Sequence, residues 1–291
     1  MFAILNVNKP IGWTSRDAVN RVQRLVRPAK AGHAGTLDPL ADGVLIVCIG
    51  PATRLIPYVQ KMPKVYQATF LLGRTSDSDD TETEVHELTS PPEPSLEEIQ
   101  SKLPGFLGKI EQRPPAYSAL KVKGQRAYKL ARKGRRVQLK PRPVEIYELN
   151  LTDYNYPELK VHIRCGSGTY VRSFGRDLAE ALGTGAVMSA LTRTAIGGFY
   201  RADGVDANSL TEELIASRLQ PASSVVGHLP RVVLSTDQLA EIRHGRRIAT
   251  TAEYNSAPEI AAFDEAGNLL AILQEKESGL LGPVRNFPSP D

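Results

Sequence analysis

The 291-residue chain predicts an α+β fold, with a mixed, largely antiparallel central sheet flanked by helices and loops and a small β-rich module after it. Three observations predict it. Strand-like and helix-like segments interleave without the regular strand–helix–strand alternation of a parallel sheet. The nearly continuous apolar run "ADGVLIVCIG" (41–50) reads as a buried strand, and "VYQATFLLG" (65–73) alternates as a half-buried one. Composition then changes at "PASSVVGHLP" (221–230), beyond which turn residues separate short apolar runs.

Taken in order, "FAILNVNKP" is a strand that stops at Pro10, where a ladder donor is lost. Thr14 and Asp17 form a capping box ahead of a helix with Ala18, Val22, Leu25 and Val26 on one face. "SPPEPS" is a linker-like break, after which Ser95 and Glu98 cap a helix with Ile99 and Leu103 inside. "LKVHIRC" is a strand, and "TYVRSFGRDLAEALG" is a helix that ends at Gly183. In the last part Ser235 and Gln238 cap a short helix ending at Gly245. "EIAAFDEAGNLLAIL" is a hairpin turning at Glu265 to Asn268, and "GLLGPVRNF" is a last strand. Residues 230–291 are therefore expected as a module apart from the main core.

Composition bounds the chemistry. No run of about 18 apolar residues is present, and the start "MFAILNVNKPIGW" lacks a basic leader and a small-residue cleavage site, so a cytoplasmic chain is expected. The two cysteines, Cys48 and Cys165, argue against a disulfide framework and against a thiolate zinc site. The net charge is only +4, but it is unevenly spread. "RTSDSDDTETEVHE" is acidic, whereas "RAYKLARKGRRVQLKPR" (126–142) holds Arg126, Lys129, Arg132, Lys133, Arg135, Arg136, Lys140 and Arg142 with no acid. Tyr117 and Tyr128 flank and enter that run. Cations with aromatics and no local acid suit phosphate contacts and base stacking better than a merely solvated helix face.

Familiar catalytic signatures are missing: no P-loop, no G-x-G-x-x-G after a strand, no G-x-S-x-G, and five scattered histidines at no metal-ligand spacing. What remains is a carboxylate enzyme without a cofactor, or a binding protein. Asp38 draws attention because "GHAGTLDPLADGVL" (32–45) surrounds it with small and apolar residues and leaves His33 as the basic residue near in sequence. Taken alone, it could equally be a turn or N-cap aspartate.

"GHAGTLDPLADGVL" resembles the active-site motif of the pseudouridine synthases, specifically the bacterial tRNA pseudouridine synthase B (TruB-type) family. The resemblance continues in order through "NKPIGWTS", "KVYQATFLLGRTSDSDD", "QRPPAYSALKVKGQRAYKLARKG" and "GTYVRSFGRDL", and the C-terminal module resembles a PUA-type RNA-binding domain. It implies a pseudouridine-synthase catalytic domain over 1–229 and a PUA-like domain over 230–291. It implies conversion of uridine 55 in the tRNA T-loop to pseudouridine, with tRNA (T-loop and T-stem) as partner, no cofactor, no metal, no obligate protein partner and a monomeric state.

By motif position the resemblance makes Asp38 the catalytic carboxylate, Arg172 its cationic partner and Tyr66 the ring that stacks on the target base. Tyr170 and Leu191 would border the pocket, His33 would enter the T-loop in place of the flipped base, and Asp80 would support the site. Lys9 and Pro10 would brace Tyr66. The loop from Arg113 to Gly134 would close over RNA, with contacts from Lys121, Arg126, Lys129, Arg132, Lys133, Arg135 and Arg136. The sequence departs from the family pattern at Gly166, where serine is common, Thr83 (glycine), Val187 (histidine) and Thr192 (arginine). Two rival readings stay open: an RNA-binding protein without catalysis, and a glycoside hydrolase with two carboxylates.

Overall fold

The computed structural model describes residues 1–118, 120–122, 124–131, 139–249, 254, 258–277 and 279–288. One large sheet runs in spatial order through Val205–Asp206, Ala3–Lys9, Asp42–Ile49, Ala186–Ile196, Lys64–Leu72, Glu158–Cys165, Arg142–Asn155 and Gly108–Gln112. Neighbours are antiparallel except at two short parallel contacts, Ala3–Lys9 with Val205–Asp206 and Asp42–Ile49 with Ala186–Ile196. The second is only Thr192 opposite Asp42 and Arg193 opposite Gly43. The sheet is thus two antiparallel halves hinged at a narrow parallel join, and the chain leading into that join carries Asp38.

Period-two geometry explains the continuous apolar run at 41–50. On one face Ile4, Val44, Ile46 and Cys48 pack together. On the other, Leu5, Val7, Val47 and Ile49 pack on Val19 and Val22 of the Ser15–Leu25 helix and on Val26, its C-cap. A strand covered on both faces has no reason to alternate. The Lys64–Leu72 strand does alternate: Tyr66, Ala68, Phe70 and Leu72 pack on Phe174, Leu178 and Ala179 of the Val171–Ala181 helix. Gly175 is required there, since a Cβ would sit 2.1 Å from the Phe70 ring. The predicted capping boxes at Thr14/Asp17, Ser95/Glu98 and Ser235/Gln238 are all formed.

The C-terminal strands build a separate five-stranded sheet with its own cluster of Leu234, Ile242, Ile260, Ala271, Leu273 and Leu281. It is not set apart from the main core, however. Ala261, Phe263, Leu269, Ile272 and Phe287 cover the first face of the long sheet, in one cluster with Ile4, Ile46 and Cys48. Amphipathic strands expose two faces, and the second face of this small sheet finds its apolar partner in the larger domain. Phe287 stacks on Phe2 at 4.8 Å and lies under the Arg54 guanidinium at 5.0 Å. Phe287→Ala is therefore expected to cost about 3 kcal/mol of stability, read as a lower urea midpoint; a shift below about 1 kcal/mol would mean that this junction is soft. Among the described residues no helix is long and apolar enough to cross a membrane.

Candidate active site

The loop 34–41 leads into the sheet at the parallel join and is tied down along its length. Ser15 Oγ donates to the Leu37 carbonyl (3.1 Å) and accepts from the Leu37 N–H (2.8 Å). The Gly12 N–H donates to the Pro39 carbonyl at 2.8 Å, and the Leu40 N–H to Glu82 Oε1 at 3.2 Å. From beneath, buried Arg193 donates to the carbonyls of Val44 (2.7 Å), Thr36 (3.4 Å) and Gly35 (3.2 Å). Gly43, at φ +100°, meets the Arg193 backbone so closely that a Cβ would lie 2.3 Å from its carbonyl oxygen. The aspartate thus rides on a rigid turn, its side chain 33% exposed to a cavity of about 560 Å³.

Arg172 faces it from the first turn of the Val171–Ala181 helix, where a positive charge opposes the helix dipole and so must be held by partners. Its Nη2 lies 3.1 Å from Asp38 Oδ2, and its Nη1 lies 3.1 Å from Asp80 Oδ2. It also donates to the carbonyls of Ser78 (2.8 Å) and Tyr117 (3.0 Å). Asp80 is fully buried and its Oδ1 accepts from the Glu82 N–H at 3.0 Å. One guanidinium therefore serves two carboxylates, only one of which reaches the cavity. Burial pushes the Asp38 carboxyl above its usual range; the Arg172 charge pulls it back and Asp80 pushes it further up.

Tyr66, Tyr170 and Leu191 line the same cavity. Burial holds the Tyr66 hydroxyl above its ordinary range, so it is a neutral phenol at pH 7. The Tyr170 backbone is clamped both ways by the Gln112 amide (2.8 and 3.0 Å), and its ring lies 4.9 Å from the Arg142 guanidinium. His33 does not line the cavity: it ends the Ala31–His33 strand, five residues before Asp38, and burial lowers its basicity to a neutral imidazole. Asp80 stands behind Arg172, outside the lining. A retaining or inverting hydrolase needs two carboxylates flanking the scissile bond, and the buried Asp80 cannot provide the second.

Lys9, expected to brace Tyr66, is buried at the end of the Ala3–Lys9 strand. Its ammonium donates to the carbonyls of Pro10 (2.9 Å) and Trp13 (2.6 Å), and burial lowers its pKa to about 8. Of the basic run, Arg126 is exposed on the short strand Gln125–Arg126, which pairs with Lys121–Val122, and Lys129 lies in the Ala127–Ala131 helix. Arg132, Lys133, Arg135 and Arg136 lie outside the described residues. Ser118 and Leu120, just before the run, line the cavity.

Sequence reasoning did not single out Arg193, Lys64 or Arg142 for the site, yet all three line it. A lone arginine in the strand "AVMSALTRTAI" was the available signal for Arg193. The departures are accommodated locally. The Thr192 hydroxyl donates to Asp42 Oδ1 (2.6 Å), while Arg201 brings a cation to Asp42 Oδ2 (2.7 Å). Thr83 Oγ1 accepts from the Ser78 N–H at 3.2 Å, Val187 is fully buried in the sheet, and a Cβ at Gly166 would lie 3.1 Å from the Tyr147 hydroxyl.

Comparison with known proteins shows the family. Residues 23–171 match the family model described as TruB family pseudouridylate synthase (N terminal domain), and residues 172–241 match tRNA pseudouridylate synthase B C-terminal domain. A tRNA pseudouridine synthase B from Acaryochloris marina is 46% identical over 239 residues, covering 79% of this chain and 82% of that protein. One from Nostoc sp. is 39% identical and covers 99% of both. The fold matches an H/ACA RNP structure, bound to a substrate RNA containing 2'-deoxyuridine, with TM-score 0.74 and 23% identity over 99% of this chain and 86% of that one. The chain belongs to the TruB family of pseudouridylate synthases, isomerases that act on tRNA.

Proposed function

We propose that the protein converts uridine 55 in the T-loop of tRNA to pseudouridine, with Asp38 as the catalytic carboxylate. The observation that carries this reading is the Asp38–Arg172 ion pair at 3.1 Å inside a cavity walled by Tyr66, Tyr170 and Leu191. In the reaction the C1′–N1 bond breaks and the C1′–C5 bond forms. The proton on C5 leaves, and N1 gains one, so substrate and product are isomers. The target base must leave its stack, at a cost of a few kcal/mol. An electron-rich carboxylate held at a fixed place beside the sugar and base is the one reactive group this requires.

Each wall then has a role. Tyr66 stacks on the uracil, and its neutral phenol leaves the negative charge to Asp38. Leu191 keeps water from the reacting carbon, where it would trap the cleaved sugar. Arg172 keeps Asp38 ionised and aimed, and Asp80 holds Arg172 from behind. His33, uncharged and half-buried, fills the place of the flipped base without bringing a charge into the T-loop. Residues 1–229 carry the chemistry as a monomer without metal or cofactor, and 230–291 form a PUA-like RNA-binding domain. The basic run, with Lys121, Arg126 and Lys129, contacts the tRNA backbone.

The test is chemical mapping of pseudouridine in an unmodified tRNA transcript incubated with the purified protein. A single new pseudouridine at position 55 is expected. Tight binding with no product at any uridine would favour an RNA binder without catalysis.

A further inference from the structure

The polar face of the Ser15–Leu25 helix carries a second concavity, about 360 Å³, lined by Arg16, Asn20, Gln23, Arg24 and Arg27. Arg16, Asn20, Arg24 and Arg27 are exposed, and Arg27 lies in the turn just after the helix. Among the described residues none of these five side chains has an ion pair or a hydrogen bond. Arg21, on the same helix, donates to the Leu210 carbonyl at 2.8 Å, and Arg74, Arg172, Arg176, Arg201 and Arg246 each hold a carboxylate. The nearest acid in sequence, Asp17, is committed to Thr14 in the capping box.

Helix stability does not account for the cluster. Arg24, in the last turn, complements the dipole, but Arg16, in the first turn, opposes it. Arg24 and Arg27, three residues apart, repel each other. Three guanidinium groups and two amides left open in one concavity present many donors and positive charge with no carboxylate among them. An anion with several acceptor oxygens is the complementary partner.

The position of the face says which anion. The helix begins at the candidate site: Ser15 is bonded both ways to Leu37, next to Asp38, and the Arg16 charge is felt at His33. From Arg16 to Arg24 the face extends about 12 Å away from the site at 1.5 Å rise per residue. It carries no aromatic side chain, so it offers no platform for unstacked bases, in contrast to the Tyr-bearing 113–134 loop. Arginines for phosphates and amides for 2′-hydroxyls suit the shape-read backbone of a paired RNA helix.

Accepting the tRNA reading above, we infer that this face is a second RNA-contact surface. It grips the phosphodiester backbone of the base-paired stem whose loop enters the Asp38 cavity. Loop and stem are thereby held by different parts of the protein.

The test compares wild type with R16Q/R24Q/R27Q and, as a control for the loss of an exposed arginine elsewhere, R218Q on the exposed end of the Glu212–Arg218 helix. The probes are a T-arm hairpin and the same loop sequence as an unpaired oligonucleotide, titrated across salt concentrations. For the hairpin, the triple variant is expected to bind roughly 30-fold more weakly near 0.1 M salt, with a log–log salt slope shallower by about 2 to 3. Affinity for the unpaired oligonucleotide should change less than about threefold, and the single-turnover rate at saturating enzyme should stay within about twofold of wild type. An unchanged hairpin slope, an equal loss on both probes, or an equal loss from R218Q would each overturn the inference. Wild type that shows this hairpin binding but forms no pseudouridine would refute the proposed reaction and leave the stem surface standing.

Discussion

Asp38→Asn is expected to abolish product in a single turnover with enzyme in excess over T-arm RNA, a loss of at least about 10⁴-fold or roughly 5.5 kcal/mol in the barrier. Binding of tRNA should stay within about tenfold, roughly 1.4 kcal/mol, because asparagine keeps the shape and one acceptor for Arg172. Asp38→Glu should also fail, by about 100-fold, since an added methylene moves the carboxylate by about 1 Å. The turn has no slack to absorb that shift. Ser15, Gly12, Glu82 and Arg193 hold it from four sides. The rate should also fall with acid. Burial raises the Asp38 pKa, and the ionised form is the reactive one, so the acid limb of the rate–pH profile is expected above the ordinary carboxylate range. Wild-type-like product from Asp38→Asn, measured by pseudouridine mapping, would remove the proposed mechanism.

The second large effect is at Arg172, where activity and stability are both engaged. Arg172→Met leaves Asp80 buried without a countercharge and removes the donor to the Ser78 and Tyr117 carbonyls, a loss of about 3 to 5 kcal/mol by urea unfolding. Arg172→Lys should be milder in stability yet nearly inactive, because one ammonium cannot span both carboxylates as the planar fork does. Adding Asp80→Asn to Arg172→Met neutralises the stranded charge. That double variant is expected to regain most of the stability and none of the turnover. If it regains both, Arg172 acts only by holding the fold; if Arg172→Lys turns over normally, fork pairing to Asp38 is unnecessary.

Several features were legible because their causes are local. A capping box needs only residues three apart, so Thr14/Asp17, Ser95/Glu98 and Ser235/Gln238 announced their helices. The apolar run at 41–50 and the alternation at 65–72 carried their burial patterns on their face. Among the strands that were not legible are two long ones, Arg142–Asn155 and Ala186–Ile196. Both contain irregular register, at Ile146/Glu148 and Leu151/Asp153 in the first and at Met188/Ala190 and Arg193/Ala195 in the second. A bulge slips the side chains by one position, so a strict two-residue period is lost although the strand continues.

By itself the sequence determined the α+β class and the main capped helices and apolar strands, which follow from local periodicity and caps, and its ordered series of motifs, through the family resemblance, pointed to Asp38, Tyr66 and Arg172. Only the tertiary structure decided that Arg172 is shared between Asp38 and Asp80, that His33 and Asp80 stand outside the cavity lining, and that Arg193 supports the turn from below. It also decided that the C-terminal sheet shares a core with the long one. Each of these joins residues far apart in the chain, and which distant face meets which is settled by burying every apolar surface and pairing every buried charge at once, a condition on the whole molecule that no short window of sequence contains.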